Sequence, residues 1–328
     1  MQGFTNFNNI NANTVDFLHA SSTYENNKLL ALDANSGFNP KNYLQQGEPI
    51  LSNLNEGRLT LTTGVPVTTS DVTAATTLYF TPYNGNKISI YESSQTIWRV
   101  YDFEEISLDI SSLTADTNYD IFIYDNAGTL ILESVGWTDG TTRATDIVLQ
   151  NGVYVKDGAT DKKCLGSIRI TGTTGQCEDS ISNRFVNNLY NRTLKEIKAI
   201  ETTNDWNYTT TTWRPFNNNS SCVASYVESI IRDRIQITVK GTAVNASGAT
   251  IATGVGLNST NTNSAQILGG VASTSTTVTT GYYFGPSVTV GLNSVYPLET
   301  SQANGTTNWH GDRGLSYYQN GLIGLINC

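Results

Sequence analysis

The sequence of 328 residues predicts an all-β protein with two sandwich regions, a short helix between them and an extended N-terminal arm. Apolar and polar residues alternate with a period of two over several short runs, which is the pattern of half-buried strands. Gly, Asn and Asp separate these runs, as expected of turns. Charged residues make up only 14% of the chain, so uncharged polar side chains must form most of the surface.

The central element of this prediction is the stretch 106–137. Ile106, Leu108 and Ile110 alternate with polar neighbours, and a second alternating run follows after a short turn. The residues at 125–128, DNAG, tolerate positive φ and predict a tight turn into a third strand. The stretch therefore predicts an antiparallel meander of three strands.

The turn before the second strand carries a pattern that is similar to the tyrosine corner of fibronectin type III and related immunoglobulin-like sandwiches. The pattern consists of Leu113, Ala115, Thr117, Tyr119 and Ile121. In those sandwiches the Tyr hydroxyl bonds to the backbone a few residues upstream. The resemblance implies a fibronectin- or immunoglobulin-like β-sandwich here, and it implies nothing about function, because such folds host many activities.

The first 57 residues differ from the rest because they are rich in Asn and lack periodic apolar spacing. We interpret residues 1–57 as an arm that becomes ordered on another surface, and the alternative is a disordered tail. The residues expected to anchor the arm are apolar and widely spaced: Phe4, Phe7, Ile10, Val15, Phe17 and Leu18.

Three further segments follow the arm. Residues 58–178 are predicted to form a β-rich shaft or sandwich, in which Asn151 and Gly152 are the strongest hairpin signal. Residues 179–200 are predicted to form a helical connector. Residues 201–328 are predicted to form a jelly-roll-like sandwich head, because short β-branched and aromatic runs recur between Gly, Asn and Pro.

The helix prediction at 179–200 rests on spacing and on a cap. Asp179 or Ser180 can serve as the N-cap residue. The apolar residues that follow have helical spacing: Ile181, Phe185, Val186 and Leu189.

Charge and apolar content exclude several partners. The net charge of −9 and the pI near 4.7 argue against nucleic acid and anionic membranes, which require clustered Lys and Arg. No N-terminal signal and no run long enough to span a bilayer occurs. We therefore expect a chain made as a soluble protein in a cytoplasm, with no membrane insertion and no nucleic acid partner.

The four cysteines show no metal-binding spacing. They are Cys164, Cys177, Cys222 and Cys328. Cys164 and Cys177 flank a predicted hairpin and could form a disulfide, while reduced, half-buried thiols are the alternative.

Catalytic signatures are weak in this sequence. The two histidines are His19, in the arm, and His310, and no nucleophile-elbow motif accompanies them. Glycoside hydrolysis requires two carboxylates, and no motif selects a pair from the candidates. These candidates are Glu104, Glu105, Asp109, Glu133, Glu228 and Asp233. We predict no catalytic residues, no metal site and no cofactor.

Aromatic residues near the C-terminus are candidates for sugar binding, because Trp and Tyr rings stack on sugar faces. We select Trp309, Tyr317 and Tyr318 as the glycan-binding candidates. The competing interpretation is that these aromatic residues fill the core of the C-terminal domain.

Several blocks of sequence resemble a widespread group of tailed-bacteriophage virion proteins that are usually assigned to fibres or appendages. The similarity covers residues 58–328, and the quoted blocks are RLTLTTGVPVTTSDVTAATTLYFTPYNGNKISIY, SLDISSLTADTNYDIFIYDNAGTLILESVGWTDGTTRAT, LQNGVYVKDGATDKKCLGSIRITGTTGQCEDS and NRFVNNLYNR. Residues 1–57 depart from the shared part.

The resemblance implies a non-enzymatic structural protein of the virion. Its arm at 1–57 would dock to other virion proteins of the capsid or tail, and the chain would assemble as a homotrimer. The alternative is a tail-fibre protein whose C-terminal domain binds a host receptor or glycan, and a polysaccharide depolymerase is a third. The sequence does not separate a head fibre from a tail fibre or a decoration protein.

Overall fold

The computed structural model describes residues 52–315 and 318–328, and the regular secondary structure of this part is almost entirely β-strand. The all-β prediction is confirmed. The first eleven strands are β1 (Gly57–Thr60), β2 (Val72–Ala75), β3 (Thr77–Pro82), β4 (Lys87–Glu92), β5 (Ile97–Asp102), β6 (Ile106–Asp109), β7 (Asn118–Asn126), β8 (Thr129–Gly136), β9 (Ile147–Gln150), β10 (Val153–Lys156) and β11 (Ala159–Arg169).

Strands of the second half follow after a short connecting region. They are β12 (Cys177–Asp179), β13 (Asn183–Arg184), β14 (Val186–Asn188), β15 (Leu194–Ile200), β16 (Asp205–Asn207), β17 (Arg214–Pro215), β18 (Ala224–Glu228), β19 (Arg234–Asn245), β20 (Thr250–Leu257), β21 (Ile267–Leu268), β22 (Val271–Ala272), β23 (Thr277–Pro286), β24 (Gly291–Ser301), β25 (Thr307–His310) and β26 (Gly321–Asn327). Among the described residues, one 3₁₀ turn covers Phe216–Asn218.

The N-terminal half packs three sheets around one core. A three-stranded sheet has the order β1-β3-β6, and a six-stranded sheet has the order β8-β7-β11-β10-β9 with β14 beside β11. The hairpin β4-β5 forms the third sheet. Buried side chains from these strands form one cluster, which includes Leu59, Phe80, Ile88, Ile121 and Ile168.

The C-terminal half is a sandwich of two larger sheets. An eight-stranded sheet has the order β2-β12-β13-β18-β24-β20-β22 with β17 beside β24. A seven-stranded sheet has the order β15-β26-β19-β23-β21, and β25 pairs with β16 and β19. The predicted alternation in β19 is confirmed, because Ile235, Ile237 and Val239 all point into the core between the sheets.

The eight-stranded sheet crosses the boundary between the predicted ranges 58–178 and 201–328. Strand β2 and the first two residues of β12 come from the first range, and β13 pairs in parallel with β18, with Arg184 opposite Tyr226. Arg58 adds a second link, since it is buried and donates from Nη2 to the Cys328 carbonyl at 3.1 Å and from Nη1 to the Asn191 carbonyl. The two halves therefore share backbone pairing and not only side-chain contacts.

Two turn predictions are met in detail. Asn151 (φ 49°) and Gly152 (φ 82°) form the turn between β9 and β10, and positive φ at both central residues matches the twist of the two strands. The Tyr119 hydroxyl accepts a hydrogen bond from the Thr114 backbone N–H at 2.9 Å, as in a tyrosine corner.

The predicted meander at 106–137 is wrong in its first strand. β7 and β8 pair as expected, but β6 pairs with β3 in the opposite sheet, with Leu108 opposite Leu78. The tyrosine corner between β6 and β7 carries the chain across from one sheet to the other. Alternation along a strand shows which face is buried, but it does not identify the neighbouring strand.

The predicted helical connector at 179–200 is also wrong, because this segment contains β13, β14 and β15 and the end of β12. Asp179 does not cap a helix but forms ion pairs with Arg184 and Lys195. The amide side chain of Asn188 bonds both the N–H and the carbonyl of Leu59. Ion pairs between strands of the segment and the bonds from Asn188 to the distant strand β1 outweigh a helical spacing, in a segment whose Asn residues are weak helix formers.

The predicted arm at 1–57 lies largely outside the described residues. Its last residues, 52–57, pack on the N-terminal half, where the Ser89 N–H donates to the Leu54 carbonyl at 3.0 Å. The Lys163 ammonium donates to the same carbonyl at 2.7 Å. The prediction that residues 1–51 dock on another surface stays a prediction.

All four cysteines are free and buried, so the alternative of reduced thiols is the one observed for Cys164 and Cys177. Burial raises the pKa of each of the four thiols, with values of about 12 for Cys222 and about 11 for Cys328. Thiols with raised pKa values are poor nucleophiles at neutral pH.

Lys163 has 0% exposure, and burial lowers its pKa to about 7. The folded ammonium therefore loses its proton near pH 7, whereas an unfolded Lys does so near pH 10. Between these values the unfolded chain binds one more proton, so the free energy of unfolding should rise with pH by up to about 1.4 kcal/mol per unit.

This prediction is checked by urea unfolding of the wild type and of Lys163→Met at a series of pH values from 7 to 10. The difference between the two proteins isolates Lys163, because the buried thiols titrate in both. A difference that does not change with pH would contradict the lowered pKa. The Leu54 carbonyl keeps its bond from the Ser89 N–H in the variant, so folding should persist.

Candidate functional site

The three predicted glycan-binding aromatics have different positions. Trp309 has 0% exposure, packs near Phe216 and donates from Nε1 to the Tyr208 carbonyl at 3.1 Å, so its ring offers no face to a sugar. Tyr317 lies outside the described residues. Tyr318 is half-buried and lines a surface cleft, so it is the described member of the three that can contact a ligand.

The cleft has a volume of about 490 Å³ and lies on the outward face of the seven-stranded sheet, at one end of β19 and β23. Thr242 of β19 is opposite Val278 of β23, so their side chains lie on the same face. The residues that line the cleft carry three threonine hydroxyls, one ammonium, one phenol ring with its hydroxyl and one apolar side chain: Lys240, Thr242, Thr276, Thr277, Val278 and Tyr318.

A buried amide fixes one side of the cleft. The Nδ2 of Asn320 donates to the carbonyls of His310 and Gly311, at 3.0 and 2.9 Å, and its Oδ1 accepts from the Thr242 hydroxyl at 3.0 Å. Lys240 donates to the Gln319 carbonyl at 3.3 Å. These bonds hold both ends of the loop between β25 and β26 against β19.

An Asp–His pair lies behind Tyr318. Asp205 of β16 is opposite His310 of β25, and their Oδ1 and Nδ1 atoms are 2.5 Å apart. When Asp205 is the acceptor, Nδ1 of His310 is the donor. Nε2 is buried without a hydrogen-bond partner, and the Tyr318 ring packs edge-on against the imidazole at 6.1 Å. Arg313 also contacts Asp205, at 3.3 Å.

This pair resembles two members of a catalytic triad, but a triad also needs a nucleophile bonded to Nε2. In the part of the chain that the structure describes, no Ser, Thr or Cys side chain bonds that atom. The hydrogen bond to Asp205 orients the imidazole beside the Tyr318 ring.

Three of the carboxylate candidates, Glu105, Glu133 and Glu228, have structural partners. Glu105 accepts bonds from the Thr63 and Thr81 hydroxyls, and these bonds lower its pKa against the opposing effect of burial. Glu133 forms ion pairs with Lys156 and Lys162. Glu228 pairs with Arg192, although burial raises its pKa. The side chains are thus held in contacts within the fold.

Residues 52–315 and 318–328 contain neither a metal-binding group of side chains nor a membrane-spanning helix. These ranges contain no group of three or more His, Cys, Asp or Glu placed to bind a metal ion. They also contain no helix that is long and apolar enough to cross a membrane.

Sequence reasoning missed Asp205, Lys240 and Thr242. The alternation in β19 contained a usable signal, because Lys240 and Thr242 lie on the face opposite the buried Ile237 and Val239. No comparable signal existed for Asp205, which meets His310 through strand pairing across about a hundred residues of sequence.

No protein-family model and no curated protein matches this chain. Among solved structures, it is similar to an insecticidal delta-endotoxin from Bacillus thuringiensis, at 7% identity and a TM-score of 0.24, over 83% of this chain and 52% of the toxin. A beta-porphyranase of glycoside hydrolase family 86 from the human gut bacterium Bacteroides plebeius aligns at 8% identity and a TM-score of 0.22, over 80% of this chain and 35% of the enzyme.

A structure of infectious bursal disease virus, Gx strain, aligns at 11% identity and a TM-score of 0.25, over 86% of this chain and 78% of the viral chain. The chain thus spans about half the length of the toxin and about a third of that of the enzyme. At these TM-scores the similarities carry no argument about function.

Proposed function

We propose that this chain is a non-enzymatic structural protein of a tailed-phage virion, either a fibre or a decoration protein. In this proposal residues 1–57 dock to other virion proteins of the capsid or tail, and the β domains project outward as a homotrimer. The protein would be made in the host cytoplasm and would end in the particle.

The observation that carries the proposal is the position of the blocks that resemble phage virion proteins. Leu59 and Leu61, from the first block, are buried in the core, and Asn151 and Gly152, from the third, form a hairpin turn. Arg58, which begins the first block, ties β1 to the C-terminal residue. The named residues of these blocks lie in the interior and in a turn, which supports a scaffold role for this part of the chain.

Mass spectrometry and a cryo-electron reconstruction of the particle that carries this chain test the proposal. Density for residues 1–57 at the capsid shell or vertices would identify a head fibre or decoration protein. Density at the tail or baseplate would favour host adsorption as the function. Absence of the chain from purified particles would overturn the proposal, and so would release of reducing ends from a host polysaccharide by the purified protein.

A second candidate function is binding of a host-surface glycan at the cleft beside Tyr318. The cleft combines an aromatic ring with several hydroxyls and the Lys240 ammonium, which suits a ligand with both an apolar face and many hydroxyl groups. This candidate is compatible with the structural function, since a fibre can also attach to its host.

We expect Tyr318→Ala to lower the affinity for such a glycan by about tenfold or more, because the ring is the aromatic platform of the cleft. The measurement is binding of the full chain to a glycan array, followed by titration with any sugar that is retained. Tyr83→Ala is the matched control, because Tyr83 is an exposed tyrosine in the N-terminal half. Equal glycan binding by Tyr318→Ala and the wild type would exclude the cleft as the glycan-binding site.

A further inference from the structure

The outward face of the seven-stranded sheet carries large apolar side chains where a free surface would be polar. The exposure of Ile267 is 67% and that of Ile323 is 47%, and Phe284 and Leu325 are also exposed. Tyr282 is half-buried on the same face. We call these five residues, Ile267, Tyr282, Phe284, Ile323 and Leu325, the apolar face.

The strand registers place the apolar face in two neighbouring rows, which cross β19 at the polar residues Thr238 and Gln236. One row across the sheet runs from Ile267 through Tyr282 and Thr238 to Ile323, because each is the register partner of the next. The next row runs from Phe284 through Gln236 to Leu325 in the same way. Neighbouring strands are about 4.8 Å apart, so side chains within a row are in reach of one another.

Charged residues of both signs surround the apolar face. Glu196 lies beside Leu325 and Lys198 beside Ile323 on the edge strand β15. Arg234 lies at one end of β19, with its guanidinium 5.3 Å from the centre of the Phe284 ring, and Lys240 lies at the other. Because the rim contains residues of both charge signs, Glu196 of one copy can form an ion pair with a basic residue of another copy.

The size and the shape of this surface suit another copy of the chain. Five strands span about 20 Å, and the six residue steps from Arg234 to Lys240 span about 20 Å, which gives roughly 400 Å² in projection. The accessible area is larger because side chains stand out from the sheet, and specific interfaces begin at about 600 Å² per partner. A pleated face of this kind packs best on a second sheet, about 10 Å away.

We infer that the apolar face is the contact between copies of this chain. It supplies a contact surface for the homotrimer of the proposed function, and it rests on that function only for the number of copies. Exposed contiguous apolar patches on soluble proteins are characteristic of interaction sites.

The test is the molar mass of the purified full chain at micromolar concentration, measured by light scattering after size-exclusion chromatography. We expect the wild type to be an oligomer. Ile323→Glu and, separately, Phe284→Glu should raise the dissociation constant by about tenfold or more, because each places a charge in an apolar contact.

Leu149→Glu is the matched control, since Leu149 of β9 is 60% exposed and lies outside the apolar face. It should assemble like the wild type. Circular dichroism and thermal unfolding show whether each variant keeps the fold, as expected for substitutions of exposed side chains. If one of the two variants misfolds, the dissociation constant of the other one tests the inference.

A monomeric wild type at this concentration overturns the inference, and the face would then belong to another protein. Ile323→Glu and Phe284→Glu that are folded and assembled like the wild type overturn it too. A monomeric wild type would also remove the homotrimer from the proposed function. Neither result bears on the presence of the chain in particles, which mass spectrometry and the reconstruction test separately.

Discussion

Trp309→Ala is expected to lower the free energy of unfolding by about 3–5 kcal/mol, because it removes a fully buried indole and leaves a cavity. The ring packs against Phe216 in the core between the two large sheets, and its Nε1–H satisfies the Tyr208 carbonyl. Equilibrium unfolding in urea, monitored by circular dichroism, gives the size of the loss.

Tyr318→Ala is the control that separates a core residue from a surface residue. Tyr318 lines the cleft and is only half-buried, so the same measurement should give a loss of about 1 kcal/mol or less. If Trp309→Ala lost no more stability than Tyr318→Ala, the core position of Trp309 would be contradicted, and its selection as a sugar platform would be restored.

Glu299→Ala is expected to destabilise the fold by about 3–5 kcal/mol at pH 8, where the carboxylate is ionised, because it breaks a buried ion pair. Glu299 has 0% exposure and accepts bonds from Arg214 Nε at 2.8 Å and from Trp206 Nε1 at 2.7 Å. The variant leaves the Trp206 N–H without an acceptor and the Arg214 charge without its partner.

The same residue predicts a dependence on pH. Burial raises the pKa of Glu299 to about 7, in spite of the opposing effect of Arg214. The folded state therefore keeps a proton that an unfolded Glu loses near pH 4.3, so stability should fall as the pH rises from about 4.3 to 7. Unfolding of Glu299→Gln, which keeps the hydrogen-bond acceptor, should lack this contribution.

The free energy of unfolding is measured against pH for the wild type and for Glu299→Gln. Parallel curves from about pH 4.3 to 7 would contradict the raised pKa of Glu299. A loss for Glu299→Ala no greater than that for an exposed residue would show that the ion pair is not buried. Together these measurements examine the contacts that join β16, β17 and β24 near the core of the C-terminal sandwich.

Local patterns in the sequence were sufficient for several elements of the fold. The Asn151–Gly152 turn, the tyrosine corner at Tyr119 and the alternation of Ile235, Ile237 and Val239 all appear in the structure. Each depends on residues close together in the chain, either through backbone conformation or through the two-residue period of a strand.

Tertiary contacts determine the secondary structure of residues 179–200. Its apolar spacing fits a helix, yet Asp179 meets Lys195 and Arg184, and Asn188 bonds the backbone of Leu59 across 129 residues. The contact between Asn188 and Leu59 depends on the position of the distant strand β1, and no local pattern contains that information.

The sequence by itself determined that the protein is built of strands, which residues point inward in several of them, and that its C-terminal aromatics could serve either a core or a sugar site. Only the tertiary structure placed Trp309 inside and Tyr318 at a cleft, brought Asp205 to His310, and aligned Ile267, Phe284 and Ile323 on one outward face. Alternation assigns a side chain to one of two faces, but strand order and register decide whether that face meets a core or water, and these are set by the packing of the whole chain.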